Sequence, residues 1–309
     1  MPKVSDTPRK LLIVCGPTAT GKTKLAVRLA KRFTGELINA DSRQVYKELD
    51  VLTGKDTKDL AGVPVWLYDV AVVGREFSVS HYRRLAAAAA VDISRRGKLP
   101  ILVGGSGLYI RAAVTPFETI DIPPDGTKRK QWNTQTVAEL QNELRGTDEA
   151  RLAGMNHSDR NNPRRLIRAL EIARWKKNNA AANTMPEFDC FWIGLKPDMT
   201  GLTGKIRQRV DLRWDSGALE EVKRHPHAVA TGVIPITRFF RGELNEAEAK
   251  TMWVGEEVSY AKRQMTWFKK NPSVHWYDAA RTDPGPLVEK DVASWYTRDV
   301  YADKSRNIA

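Results

Sequence analysis

Gly16-Pro17-Thr18-Ala19-Thr20-Gly21-Lys22-Thr23 joins an apolar run, Leu11-Leu12-Ile13-Val14-Cys15, to a segment whose apolar residues recur at helical spacing (Leu25, Ala26, Leu29, Ala30, Phe33). A glycine-bounded loop between strand and helix aims consecutive backbone N–H groups, and the positive end of the helix, at one point. A chain of phosphates fits that point. Gly16 and Gly21 permit the tight turn. Lys22 offers a cation to terminal phosphate oxygens, and Thr23 a hydroxyl suited to Mg²⁺. Pro17, Thr18, Ala19 and Thr20 complete a loop that binds a diphosphate or a triphosphate, nucleotides such as ATP included. The spacing does not say which, or what is then done to it.

Two further stretches belong with this loop. Glu36 to Ala40 predicts a second strand, followed by Asp41-Ser42-Arg43-Gln44-Val45-Tyr46. Open α/β sheets bind ligands at the carboxyl ends of their strands. Asp41 is therefore expected beside the loop, where a carboxylate can hold a Mg²⁺-bound water or take a proton from a nucleophile. Asp41 and Ser42 are equally good helix N-caps. Leu99 to Val103 predicts another strand, ending in Gly104-Gly105-Ser106-Gly107 on the same crevice. Ser106 either hydrogen-bonds a bound base or phosphate or only shapes a turn.

The elements that must position these residues alternate as β and α. Val63 to Val70 predicts a weak strand starting at Pro64, Ser78 to Arg96 a helix stopped by Gly97, and Phe188 to Leu195 a returning strand. The rest reads as mostly helical, over Leu202 to Arg224 and Glu246 to Lys270, with Trp267 in the core and some of the basic residues around it free for nucleic acid. The fold class is α/β: a P-loop NTPase-like parallel sheet flanked by helices, with an inserted all-helical domain. The core is expected over 1–117 and 188–309, and the insertion over 118–187.

The insertion is basic. It holds Lys128-Arg129-Lys130, and Arg160 to Lys177 carries seven basic residues against one acid, Glu171. Asn162-Pro163 predicts a cap and first helical position. Leu166, Ala169, Leu170 and Ala173 form an apolar stripe, while Arg164 and Arg168 share another face at i, i+4 spacing. Such a face suits phosphate backbones, as does a net charge of +13 from 50 Lys+Arg against 37 Asp+Glu. No apolar run approaches a membrane span, and Met1 to Lys10 lacks a secretory apolar region, so a cytoplasmic protein without membrane contact is expected. Cys15 and Cys190 sit in apolar runs and are expected to be reduced and inert. Two cysteines cannot make a zinc finger.

Taken in order, five strings resemble the bacterial tRNA dimethylallyltransferase (tRNA isopentenyltransferase) family. They are the phosphate loop, Asn39 to Lys47, Leu99 to Tyr109, Arg164 to Glu171 and Tyr260 to Phe268, and the likeness runs from about Leu11 to Asp278. The resemblance implies two substrates, dimethylallyl diphosphate and the anticodon stem-loop of tRNA, with Mg²⁺ as cofactor and a monomeric enzyme. The N6 amine of the adenosine 3′ of the anticodon, in tRNAs reading codons that start with U, attacks the allylic carbon, and diphosphate leaves. On this likeness Asp41 is the base, Lys22 and the loop hold the diphosphate, Ser106 replaces a threonine, and Arg213 reaches the diphosphate. Asp41, Ser42, Arg43, Gln44 and Ser106, with Arg129, Arg164, Arg165 and Arg168, are the residues it implies for tRNA. Gly232 to Arg238 departs from the family's Ile-Gly-Tyr-type string, and the Leu219 to Val229 connection is short. A P-loop kinase of a small molecule or nucleoside, an isopentenyltransferase of free adenine nucleotides, and an RNA-binding protein with a vestigial loop are the competing readings.

Overall fold

The computed structural model describes residues 8–55, 57–115, 119–178, 186–280 and 283–297. Asn178 to Pro186, whose small polar residues lack an apolar period and so predict a linker, falls mostly outside these residues, as does the tail from Lys304, expected to be frayed. The chain forms two compact units, 1–114 with 186–309, and 115–185.

In the larger unit the strands are β1 (Arg9–Cys15), β2 (Gly35–Asn39), β3 (Val65–Trp66), β4 (Leu99–Gly104), β5 (Phe188–Lys196) and β6 (Val274–Asp278). They make one sheet in the order β3-β2-β4-β1-β5-β6, with parallel pairing throughout. Both faces are buried, as parallel sheets require. Along β1, Leu11, Ile13 and Cys15 enter one core while Leu12 and Val14 enter the other. Helices α1 (Lys22–Arg32), α2 (Asp50–Thr53) and α3 (Val79–Arg95) lie between the first four strands, and α4 (Gly107–Val114) follows β4. Ser78 caps α3 as the boundary at Ser78 implies, with its hydroxyl accepting from the His81 N–H.

Three expectations needed correction. The strand over 63–70 shrinks to Val65–Trp66, because Leu67 and Asp69 take positive φ (68° and 58°) and break the extended run. The helix over 202–224 divides: α10 (Met199–Arg213, numbered after the insertion's helices below) passes through a widened turn, where Gly217 has φ 122°, into α11 (Leu219–Arg224). The C-terminal part is not only helical. After α12 (Val233–Phe240) and α13 (Glu246–Phe268) the chain adds β6 before α14 (Gly285–Tyr296). The short apolar and aromatic run Val274-His275-Trp276-Tyr277 carries that strand, with Val274 buried in one core and Tyr277 in the other. No helix among the described residues is long and apolar enough to cross a membrane.

The smaller unit holds α5 (Gly126–Trp132), α6 (Val137–Thr147), α7 (Glu149–Gly154), α8 (His157–Arg160) and α9 (Pro163–Asn178). Leu166, Ala169, Leu170 and Ala173 pack on Trp132, Leu140, Leu144 and Leu152. The only acid of the basic stretch organises it. Glu171 is buried and accepts from Arg129 Nε (2.6 Å), Arg168 Nη1 (2.9 Å) and the Asp125 N–H (3.0 Å). Arg168 Nη2 also reaches the carbonyls of Thr119 and Ile122. Arg168 therefore does not share an open basic face with Arg164: its guanidinium and that of Arg129 serve the fold, while Arg164 is exposed. Glu171→Ala leaves two arginines facing a buried gap. It is expected to destabilise this unit by about 3 kcal/mol and to open 115–185 first in limited proteolysis; wild-type cleavage kinetics there would refute the role.

Glu36 does comparable work in the sheet. Its buried carboxylate accepts from both Nη atoms of Arg96 (2.6 and 2.8 Å), Lys98 Nζ (2.7 Å) and Trp66 Nε1 (2.8 Å), tying β2 to β3 and to the approach of β4. The Arg96 hydrogen bonds hold its pKa down to about 2 against the opposing effect of burial. A carboxyl depressed in the fold stabilises it above the unfolded pKa, about 4.3, and that contribution disappears as pH falls toward 2. Glu36→Gln is expected to start with a lower Tm at pH 7 and to decline less steeply than wild type across that window. Parallel Tm–pH curves would exclude Glu36 as a source of acid sensitivity.

Candidate active site

The loop 16–23 leaves β1 and enters α1. Gly16 (φ 138°) runs so close to β5 that a Cβ there would sit 2.9 Å from the Leu195 carbonyl oxygen. Gly21 (φ 84°) turns the chain into the helix, and Ala19 (φ 61°) takes a left-handed conformation at the tip. Two side chains close the loop on Pro17: Thr20 Oγ1 (2.9 Å) and Lys22 Nζ (2.6 Å) both donate to its carbonyl. Lys22 is half-buried, and desolvation pulls its pKa down to about 8; Asp41 opposes that shift and Arg209 adds to it. The Cys15 thiol beneath is pushed up to about 12 by burial, as is Cys190, which leaves both unreactive.

Beside the loop lie the ends of β2 and β4. No helix starts at Asp41; its Oδ1 accepts from the Arg43 N–H (2.8 Å), and its own N–H donates to Asn39 Oδ1 (2.9 Å), so it holds a tight turn. Ser106 is buried. Its Oγ accepts from the Ser42 N–H (2.8 Å) and donates to Ser42 Oγ (3.0 Å), locking the two strand ends together. The Tyr260 hydroxyl also bonds Ser106, and burial, aided by Asp41, raises the Tyr260 pKa to about 12. Gln44 donates to the carbonyls of Thr53 (3.2 Å) and Gly54 (2.8 Å) at the end of α2.

Helices from the far end of the chain complete the site. Arg209 on α10 donates to Thr18 Oγ1 (2.9 Å). Gln264 on α13 accepts from the Thr18 N–H and donates to the Gly105 carbonyl, both at 3.0 Å, bridging the two glycine-rich loops. Arg213, buried, donates through Nη1 to buried Glu257 (3.1 Å). A crevice of about 470 Å³ is lined by Lys22, Thr23, Asp41, Lys205 and Arg209 among others. A smaller cleft is lined by Asp41, Arg43, Arg213, Thr231, Glu257 and Tyr260. Asp41, Thr18 and Thr53 belong to both. Asp41 thus stands where a cation-rich chamber meets a second one, placed to act on whatever reaches across.

The geometry gathers the loop, Asp41, Ser42, Arg43, Gln44, Ser106 and Arg213 in one unit. Arg129, Arg164, Arg165 and Arg168 lie in the other, with Arg165 paired to Asp159. Sequence reasoning gave no role to Arg209, Gln264 or Glu257, which no local motif marks. Gln264 does sit within the Tyr260 to Phe268 string, where Trp267 packs partly buried against Gly107 and Phe268. For a cation, the described residues contain no cluster of three or more His, Cys, Asp or Glu. Thr23 and Asp41 are among the side-chain oxygen donors on the crevice, which also include Asp59, Thr18 and Thr53. That set fits Mg²⁺, which takes few protein ligands and completes its shell with phosphate and water.

A family model described as IPP transferase matches residues 44–271. The tRNA dimethylallyltransferase of Anoxybacillus flavithermus is 37% identical over 288 residues, covering 87% of this chain and 90% of the relative. That of Acidothermus cellulolyticus is 35% identical, covering 94% and 95%. Among solved structures, the full-length tRNA isopentenylpyrophosphate transferase of Bacillus halodurans superposes with TM-score 0.70 at 32% identity, over 97% of this chain and all of that one. A eukaryotic dimethylallyltransferase acting on tRNA shares the fold, with TM-score 0.78 at 22% identity over 96% of this chain and 80% of its own. With the phosphate loop, the Asp41 turn and the late helices converging on one crevice, and with sequence likeness along nearly its whole length, the chain belongs to the IPP transferase family.

Proposed function

We infer that this chain transfers a dimethylallyl group from dimethylallyl diphosphate to the N6 amine of the adenosine immediately 3′ of the anticodon, in tRNAs reading codons that begin with U. The observation that carries this is Asp41, which lines both the cation-rich crevice and the adjoining cleft. The diphosphate occupies the loop 16–23, with its terminal oxygens on Lys22 and the loop N–H groups. Arg213 reaches it from the cleft side. The adenine enters opposite, drawn from its stack toward Asp41. The amine nitrogen bonds to the allylic carbon, the carbon–oxygen bond breaks, and the electron pair leaves with the diphosphate. The free Asp41 oxygen accepts the amine proton while Oδ1 stays anchored by the Arg43 N–H. Ser106 keeps that turn fixed. Thr23 would hold Mg²⁺, which when bound would supply further positive charge to the leaving group. Exposed Arg164 and Arg165 and the loop residues Ser42, Arg43 and Gln44 serve the RNA in a cytoplasmic, monomeric enzyme; Arg129 and Arg168 contribute by holding the insertion's shape.

Purified protein with Mg²⁺, dimethylallyl diphosphate and unmodified tRNA is expected to yield N6-(dimethylallyl)adenosine in digested tRNA by mass spectrometry. Prenylated AMP without tRNA product would place it with the free-nucleotide enzymes, and phosphate release from ATP with the kinases. Asp41→Ala is expected to lower kcat about 10²- to 10⁴-fold, and Lys22→Ala about 10²- to 10³-fold, with tRNA affinity kept. Near-normal turnover by Asp41→Ala would remove it as the base.

Lys22 also sets a pH dependence. Its pKa of about 8 means that the cation is lost as pH rises through 8. Pyrophosphate affinity is expected to be constant from pH 6 to 7 and to fall between 7.5 and 9, about tenfold per unit at the upper end. Lys22→Arg flattens that decline. A wild-type affinity indifferent to this range would contradict the contact.

A further inference from the structure

Glu257 is an acid where an anion is to be bound. It is buried on α13, its side chain 7% exposed, and Oε1 accepts from Arg213 Nη1 (3.1 Å) and Thr231 Oγ1 (2.8 Å). Its neighbour Glu256 accepts from the Gly232 N–H (2.9 Å). The pair therefore fastens the turn before α12 and the arginine at the end of α10 to one point on α13. On the other side, the guanidiniums of Arg213 and Arg209 press against the Gly54 backbone, where any side chain would collide with them. Arg213 is thus held between a carboxylate behind and a bare glycine in front. A carboxylate this near the crevice repels a diphosphate, so the charge alone works against binding; Glu257 is among the charges felt by Lys22. Its geometry works the other way. A buried arginine has many rotamers and a high ordering cost, and a fixed acceptor on Nη1 removes that freedom before substrate arrives.

We propose that Glu257 is a positioning residue that presets the Arg213 guanidinium for the diphosphate. It touches no reacting atom and acts through Arg213. This rests on the reading of Arg213 as a diphosphate contact.

Reach and charge are separated by two substitutions. Glu257→Asp keeps the charge and withdraws the carboxylate by one methylene; Glu257→Gln keeps the reach and removes the charge. Titration calorimetry with inorganic pyrophosphate, on the full chain with Mg²⁺, is expected to show Glu257→Asp weakened about tenfold and Glu257→Gln within about threefold of wild type. The KM for dimethylallyl diphosphate follows the same order, while affinity for an anticodon stem-loop stays at the wild-type value in both. In an Arg213→Ala background, Glu257→Asp adds no further loss. Weakening by Gln but not Asp, tighter binding by both variants, additive losses with Arg213→Ala, or a parallel loss of stem-loop affinity would each overturn the proposal. Should Arg213→Ala alone leave pyrophosphate binding intact, the reading of Arg213 fails, separately from Glu257.

Discussion

The site depends on keeping several cations within a few side-chain lengths of each other before any anion is present. Lys22 and Arg209 line one crevice and Arg213 the adjoining cleft, and desolvation and mutual repulsion both oppose that. The depressed pKa of Lys22 records the strain. Every neighbouring feature can be read as an answer to it. Lys22 folds back on the Pro17 carbonyl, Arg209 takes the Thr18 hydroxyl, and Arg213 takes Glu257. Each cation is parked on a neutral or acidic partner, so the site keeps its charge without standing empty of hydrogen bonds.

Parallel pairing alone would not build this arrangement. The sheet brings three loops to one edge: those after β1, β2 and β4. It does not fix the distance between them. Helix α13 does so, crossing the edge with Gln264 bonded to two loops, Tyr260 to Ser106, and Glu257 to Arg213. These three residues fall at near-helical spacing on one face, and Gly105 and Gly107 lack side chains where Gln264 and Trp267 pass. The close approach of helix to loop explains the second glycine-rich string better than any need for a flexible turn.

Much of this was legible in the sequence, and the limit was physical. The loop 16–23 and the strands around it have local signatures, since apolar alternation and glycine spacing are properties of neighbours in sequence. Asp41 could be placed at a strand end but not assigned, because an Asx turn and an N-cap use the same residue types. Gln264 meets Thr18 across 246 positions and Arg209 meets it across 191, and no pattern in one stretch encodes such a partner. β6 was missed because five residues after a long helix give too short a run to distinguish from its end. The Leu202 to Arg224 segment was read as one helix since Gly217 interrupts an otherwise unbroken helical pattern.

Charge was the least local property and the easiest to over-read. A stretch with seven basic residues and one acid suggests a uniform cationic surface, yet its single acid takes one of the seven, Arg168, inward, together with Arg129 from an earlier helix. A buried carboxylate needs compensation, and in a basic sequence the nearest compensation is the arginine that otherwise faces solvent. Counting cations thus overestimates the surface available to RNA, and the error grows with how deeply the acid is buried. The same logic runs in reverse at Glu257, where an acid in a cationic crevice is no evidence against anion binding. In both units the informative quantity is which guanidinium is already held, since an arginine fixed by a buried acid can shape a site but is costly to redirect, whereas Arg164 and Arg165, exposed on α9, carry charge that is open to solvent without dismantling the fold.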